Sequence, residues 1–174
     1  MRIILTGAQG TGKTTLMNAL AKEGVKTISH IRKTAEANGI DMTNATAEGQ
    51  QLLFNTLKYE LSNNDNYISD RGLTCVAAYT FDKVLSGEIE KSFADQQYIE
   101  TSIFAHENPD ILFVYVPIEF EIEDDGVRTT DTYQQSKIDF FIKNMLDTMD
   151  IPYTTVTGSV EQRVAQIESA LTNL

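Results

Sequence analysis

One cysteine, three prolines and no tryptophan are spread over 174 residues. The lone thiol, Cys75, has no partner for an internal disulfide, which points to a reducing compartment, the cytoplasm (a host's, were the chain viral). No run approaches the ~18 consecutive apolar residues of a membrane span. Six residues precede the first glycine-rich turn, too few for a secretory apolar segment. Positive charge is scarce: 14 Lys and Arg stand against 25 Asp and Glu, a formal charge of −11 with a pI near 4.5. Such a surface repels bulk nucleic acid and anionic membrane, which argues against a general DNA binder. A pocket for a phosphate needs only a few cations and survives that exclusion. Internal repeats and low-complexity tracts are also absent.

What remains is an ordinary interior. Hydrophobic residues make up 41% and charged residues 22%, which suits one domain, residues 1–174, around one core. Short apolar runs at 2–5, 25–29, 67–69, 111–116 and 153–156 alternate with longer helical patterns, which predicts an α/β fold with a parallel sheet. The run at 111–116 is apolar throughout and is expected to be central. Helices are expected after residue 13, with Leu16 and Leu20 on one face and Gly24 as a stop, over 46–61, after Gly72, from Ser92 to just before Pro109, and from about Asp131. Ser159 with Gln162 three residues on forms a capping box for a last helix. Phe54, Tyr59 and Phe104 fall in helical stripes and are expected in the core.

The chemistry begins at "GAQGTGKT", residues 7–14, which fits G-x-x-x-x-G-K-[ST] between an apolar run and a helix. Gly7, Gly10 and Gly12 let the backbone wrap a phosphate chain with its N–H groups inward, and Thr11 lies within that wrap. The helix start adds its positive dipole end. Lys13 can reach the β- and γ-phosphates, the Thr14 hydroxyl can ligate Mg²⁺, and Thr15 can contact a nearer phosphate. The motif means nucleotide binding and leaves the reaction open. A guanine-reading N-K-x-D element is absent, which weighs against a GTPase, and 174 residues leave little room for the helical second domain of oligomeric ATPases.

A second element is "YISDRG". Asp70 ends a short run at the tip where open α/β sheets bind ligands. There it can hold Mg²⁺ through water or take a proton from an attacking hydroxyl, and Arg71 can clamp a phosphate. The plainer alternative is an aspartate capping the next helix beside a surface arginine. A polar connection, "PIEFEIEDDGVRTTD" at 117–131, has the length of a lid or binding loop and carries Arg128.

These motifs resemble a known family. "DRG" is similar to the element that follows a short strand in thymidylate and deoxynucleoside kinases. "PDILFVYVPIE", "DDGVR" and "IPYTTVTGSVEQRV" resemble the ribosylnicotinamide kinase domain of bacterial NAD-regulating proteins and related small P-loop kinases, over nearly the whole chain. The resemblance implies a three-layer P-loop NTPase fold, five parallel strands in the order 2-3-1-4-5 with a lid at about 117–131. It implies ATP and Mg²⁺ held by Lys13 and Thr14, Asp70 as base or metal-organising carboxylate, Arg128 as the lid arginine, and Gly158, Ser159 and Arg163 at the adenine. It also implies that Arg32 faces the acceptor. That family usually carries a glutamate just before this arginine, and here Ser29 and His30 occupy the neighbourhood, so the acceptor stays open. Plainer roles stay beside these: a solvated loop residue for Arg128, a helix-surface charge for Arg32, and for Arg163 a pair with Glu161 or another surface carboxylate.

The expected activity is transfer of the γ-phosphate of ATP to a hydroxyl of a small nucleoside- or nucleotide-like acceptor, in a monomer or homodimer with no membrane partner. Alternatives are a nucleoside monophosphate kinase, a kinase acting on a modified base or end in DNA, and a regulatory ATPase.

Overall fold

Strands β1 (Arg2–Thr6), β2 (Lys26–Ile28), β3 (Tyr67–Ser69), β4 (Ile111–Tyr115) and β5 (Tyr153–Thr155) form one parallel sheet in the order β2-β3-β1-β4-β5. The computed structural model describes residues 1–29, 31–41, 45–120 and 131–172. Helices α1 (Lys13–Leu20), α2 (Ile31–Ala37), α3 (Ala47–Ser62), α4 (Leu73–Leu85), α5 (Lys91–Glu107), α6 (Thr132–Thr148) and α7 (Val160–Leu171) connect and cover the strands. Among the described residues no helix is long and apolar enough to cross a membrane.

The alternation of β1 explains the three layers. Ile3 and Leu5 join a core with Leu16, Met17 and Leu20 of α1 and Ile167 of α7. Ile4, between them, joins a larger core with Leu53, Phe54 and Leu57 of α3, Val76 of α4 and Ile138 and Ile142 of α6. β4 divides likewise, Leu112 and Val114 to one side and Ile111, Phe113 and Tyr115 to the other. A strand buried on both faces needs apolar side chains at every position, which is why these two runs lack polar alternation. β4 is interior as expected, but β1 holds the middle position.

The local signals for helix ends are obeyed. Asp131 caps α6 by accepting from the N–H groups of Tyr133 and Gln134, and Ser159 with Gln162 forms the capping box of α7. Three details differ from expectation. α1 ends at Leu20 with Ala21 as its cap, so Gly24 (φ +80°) serves the turn into β2 instead. α2 is an additional helix, too short and too polar to carry a clear apolar stripe. Tyr59 is exposed, because α3 turns Leu53, Leu57 and Leu61 inward and the tyrosine follows the opposite face.

Candidate active site

The phosphate loop is shaped by steric necessity. Gly7 leaves β1 at φ +145°, and a Cβ there would stand 2.3 Å from the backbone oxygen of Val116. No other residue fits without moving the end of the neighbouring chain segment. Gly12 (φ +86°) caps α1 with no side-chain hydrogen bond to the helix's first N–H groups. Those donors, with the dipole, favour an anion at this end. Thr11, 1% exposed, donates its hydroxyl to the Ala8 carbonyl at 3.1 Å.

Lys13 folds back into the loop. Its ammonium donates to the Ala8 carbonyl and, at 3.1 Å, to Thr11 Oγ1. Burial pushes its pKa down to about 8; the positive charge of Arg71 acts in the same direction, and the fields of Cys75, Asp70 and Asp139 oppose it. A buried ammonium resting on a carbonyl gains strongly from a polyanion placed beside it.

Asp70, at the tip of β3, faces the loop. Its Oδ2 accepts from the Thr14 hydroxyl at 2.7 Å and from the Ser29 hydroxyl, beyond the end of β2, at 2.6 Å. It does not cap α4, whose N-cap is Gly72 with no side-chain bond. A hydroxyl and a carboxylate at hydrogen-bonding distance are hard oxygen donors suited to Mg²⁺, which takes one or two protein ligands and completes its shell with phosphate and water. Among the described residues no cluster of three or more His, Cys, Asp or Glu could hold a metal on its own. The residues present therefore fit a magnesium ion that arrives with a nucleotide. Arg71, half-buried, extends its field to Lys13 and to Tyr79.

The loop is braced from behind by α6 and α7. Gln135, 2% exposed, donates Nε2 to the Gln9 carbonyl at 2.8 Å, and one turn on Asp139 accepts the Ala8 N–H at 3.4 Å. Asp139 is itself held by the Tyr115 hydroxyl at 2.6 Å. From α7, Arg163 donates Nη1 to the Thr11 carbonyl at 2.8 Å and Nη2 to the Glu119 carboxylate. Cys75, 1% exposed at the start of α4, lies beneath the loop with Sγ 3.3 Å from Thr6 Oγ1 and 3.8 Å from the Gly7 carbonyl.

A family model described as an AAA domain matches residues 2–163, which hold the loop, both strand tips and the brace. The chain belongs to the AAA domain family. No curated protein matches this AAA domain in sequence. Its fold is that of several solved kinases. It is similar to a deoxyadenosine kinase from M. mycoides (14% identity, TM-score 0.69, 99% of both chains). It is also similar to a NadR protein solved with NR (16%, TM-score 0.70, 98% of this chain and 51% of that one) and to the thymidylate kinase of Candida albicans (18%, TM-score 0.62, 98% and 90%).

In this AAA domain the expected site residues separate into two groups. Gly7, Gly10, Thr11, Gly12, Lys13, Thr14 and Asp70 converge on one cup, with Arg71 at its side. Thr15 is exposed on the first turn of α1. Arg32 is exposed on α2 and pairs with Glu36 one turn on, at 3.1 Å. Ser159 is engaged in the cap of α7, its hydroxyl donating to Glu161 at 2.8 Å. Arg128 and His30 lie outside the described residues. Arg163 is 3% exposed and takes Glu119, not Glu161, as its partner. Sequence reasoning missed Gln135, Asp139, Tyr115 and Glu119. One signal was available: the α6 stripe continues toward its N-terminus into a buried glutamine, and a polar residue in an apolar register must have a partner.

Proposed function

We propose that the chain is a Mg²⁺- and ATP-dependent phosphotransferase that moves the γ-phosphate to a hydroxyl of a nucleoside- or nucleotide-like acceptor in the cytoplasm. The observation that carries this reading is the Thr14–Asp70 hydrogen bond of 2.7 Å, which puts a strand-tip carboxylate on the rim of the phosphate cup. The fold shared with deoxyadenosine kinase, the NadR protein and thymidylate kinase supports it.

Each residue then has a task. The loop N–H groups and the start of α1 hold the triphosphate. Lys13 exchanges the Ala8 carbonyl for phosphate oxygens and offsets the charge on the transferred group. Thr14 and Asp70 would hold Mg²⁺, which would supply neutralisation of phosphate charge when bound. Ser29 shows that Asp70 accepts a hydrogen bond from a hydroxyl arriving on the β2 side. An acceptor hydroxyl taking that place would be oriented, and its proton received, by the same carboxylate. Arg71, whose charge reaches Lys13, would bind phosphate.

The test is transfer of labelled γ-phosphate from ATP to a panel of nucleosides, nucleoside monophosphates and oligonucleotides, with Asp70→Asn as control. Transfer to a nucleoside, lost in the variant, is the expected result. Hydrolysis alone, with no acceptor labelled, would reject the kinase in favour of a nucleotide-driven switch.

A further inference from the structure

Resting on that reading, we infer that the donor's base is bound by its face, on the ring of Phe120, with its edge unread, so that ATP and GTP serve alike. Phe120 stands at the end of the phosphate cup. A Cβ built on Gly12, the residue that opens α1, would lie 3.6 Å from the ring's Cζ. The guanidinium carbon of Arg163 is 5.6 Å from the ring centroid. Arg163 is 3% exposed, and its terminal nitrogens are bonded to the Thr11 carbonyl and to Glu119, so it supports the ring without offering itself to a ligand. Its Nε lacks a partner but is fully buried. Phe120 as a residue is 50% exposed. A large aromatic side chain left this open beside a polyanion cup is a stacking surface, and stacking accepts any base because every base has a π-face.

The backbone donors of the neighbouring turn are already occupied. The Thr157 N–H donates to Gln166 Oε1 at 3.1 Å, and the Gln166 amide returns to the Thr157 carbonyl at 3.0 Å. The Gly158 N–H donates to Glu119 at 2.9 Å and the Ser159 N–H to Gln162 Oε1 at 2.8 Å. The Ser159 hydroxyl donates to Glu161 and accepts from the Gln162 N–H. Telling adenine from guanine by hydrogen bonding requires donors or acceptors with capacity to spare. At this turn three consecutive N–H groups have partners within the chain. Glu119 accepts from both Gly158 and Arg163, so freeing the Gly158 N–H would disturb the ion pair.

Isothermal titration of the full chain with Mg·ATP, Mg·GTP and Mg·tripolyphosphate tests this, using wild type, Phe120→Ala and Phe120→Trp. The two nucleotides should bind within about threefold of each other, and F120A should weaken both roughly tenfold, in line with alanine replacement of a stacking side chain. Tripolyphosphate, which has no base, should bind F120A as it binds wild type, and F120W should keep nucleotide affinity. A preference above about 30-fold for one purine means edge reading and overturns the inference. So does F120A binding nucleotides like wild type, or losing tripolyphosphate equally. Those results leave the phosphotransferase reading intact. Failure of wild type to bind either nucleotide or tripolyphosphate overturns both.

Discussion

The side-chain amide of Gln135 donates to the backbone carbonyl of Gln9 at 2.8 Å, across 126 residues of sequence. With Asp139 on the Ala8 N–H, one face of α6 holds both a donor and an acceptor of the phosphate loop. A loop held before the ligand arrives has less ordering left to undergo on binding. Gln135→Leu keeps the volume and removes the bond. It should weaken Mg·ATP by roughly 5- to 150-fold, the equivalent of one buried hydrogen bond left unmade at ~1–3 kcal/mol. Titration of the variant against Mg·ATP, with its melting temperature recorded in parallel, separates a loosened loop from a destabilised fold.

Lys13 should impose a pH limit. With its pKa lowered to about 8, raising the pH through that value neutralises the ammonium of the free protein. The second-order rate with ATP should therefore fall above pH about 8. A bound polyanion favours the charged form, so binding near that pH should take up protons. Titrations in buffers of different ionisation enthalpy measure that uptake, and its absence would remove Lys13 from the phosphate site.

The same shift has a sign for stability. Between the folded value near 8 and the ordinary 10.5, the unfolded chain holds more protons at Lys13 than the folded one. Stability from this group therefore rises with pH across that window, and below it the burial cost of the charge is present in full. Lys13→Met should raise the melting temperature of the nucleotide-free protein near neutral pH and abolish the stabilisation that Mg·ATP gives. Differential scanning of both proteins, with and without ligand, is the check.

Asp70→Asn keeps the shape of the site while removing its charge. Transfer should drop by about 10²–10⁴, the usual range for a lost general base. Thr14→Ala should raise the Mg²⁺ concentration needed for half-maximal rate, because the hydroxyl acts on the ion. Asp70→Asn should raise that concentration too, as the second group holding the ion, so a magnesium titration separates the roles by its plateau: saturating Mg²⁺ restores the rate of Thr14→Ala and not that of Asp70→Asn.

Arg163→Ala strips partners from Glu119 and from the Thr11 carbonyl while opening a buried space. Arg163 is buried while Glu119 is exposed, so the cost is chiefly that of the Thr11 carbonyl left without its partner, on the order of 1–3 kcal/mol. The melting temperature of a chain of this size should fall by roughly 2–12 °C, as read by thermal unfolding beside wild type.

The sheet was readable because residues 3–5 of β1 and 111–115 of β4 run without polar alternation, and the cup because three glycines, a lysine and a threonine have no other common use in that order. Asp70 was readable for its position at a strand tip. The orientation of helices was harder. Tyr59 sits in an apolar-looking stripe, and only packing decides which face of α3 turns inward. The bonds of Gln135, Asp139 and Arg163 to the loop join residues more than 120 positions apart, and such pairs leave no local pattern. Arg32 shows the converse: a family position can be recognised while the side chain itself is bound to Glu36.

Cys75 is the chain's one thiol, and it lies against Thr6 and the Gly7 carbonyl, under the loop that would take the phosphates. A reagent can reach that sulfur only while the loop or the start of α4 is away from its place. The speed of thiol labelling is thus a native clock for opening at this spot, with no probe to engineer. Any ligand that seats itself in the cup must slow it.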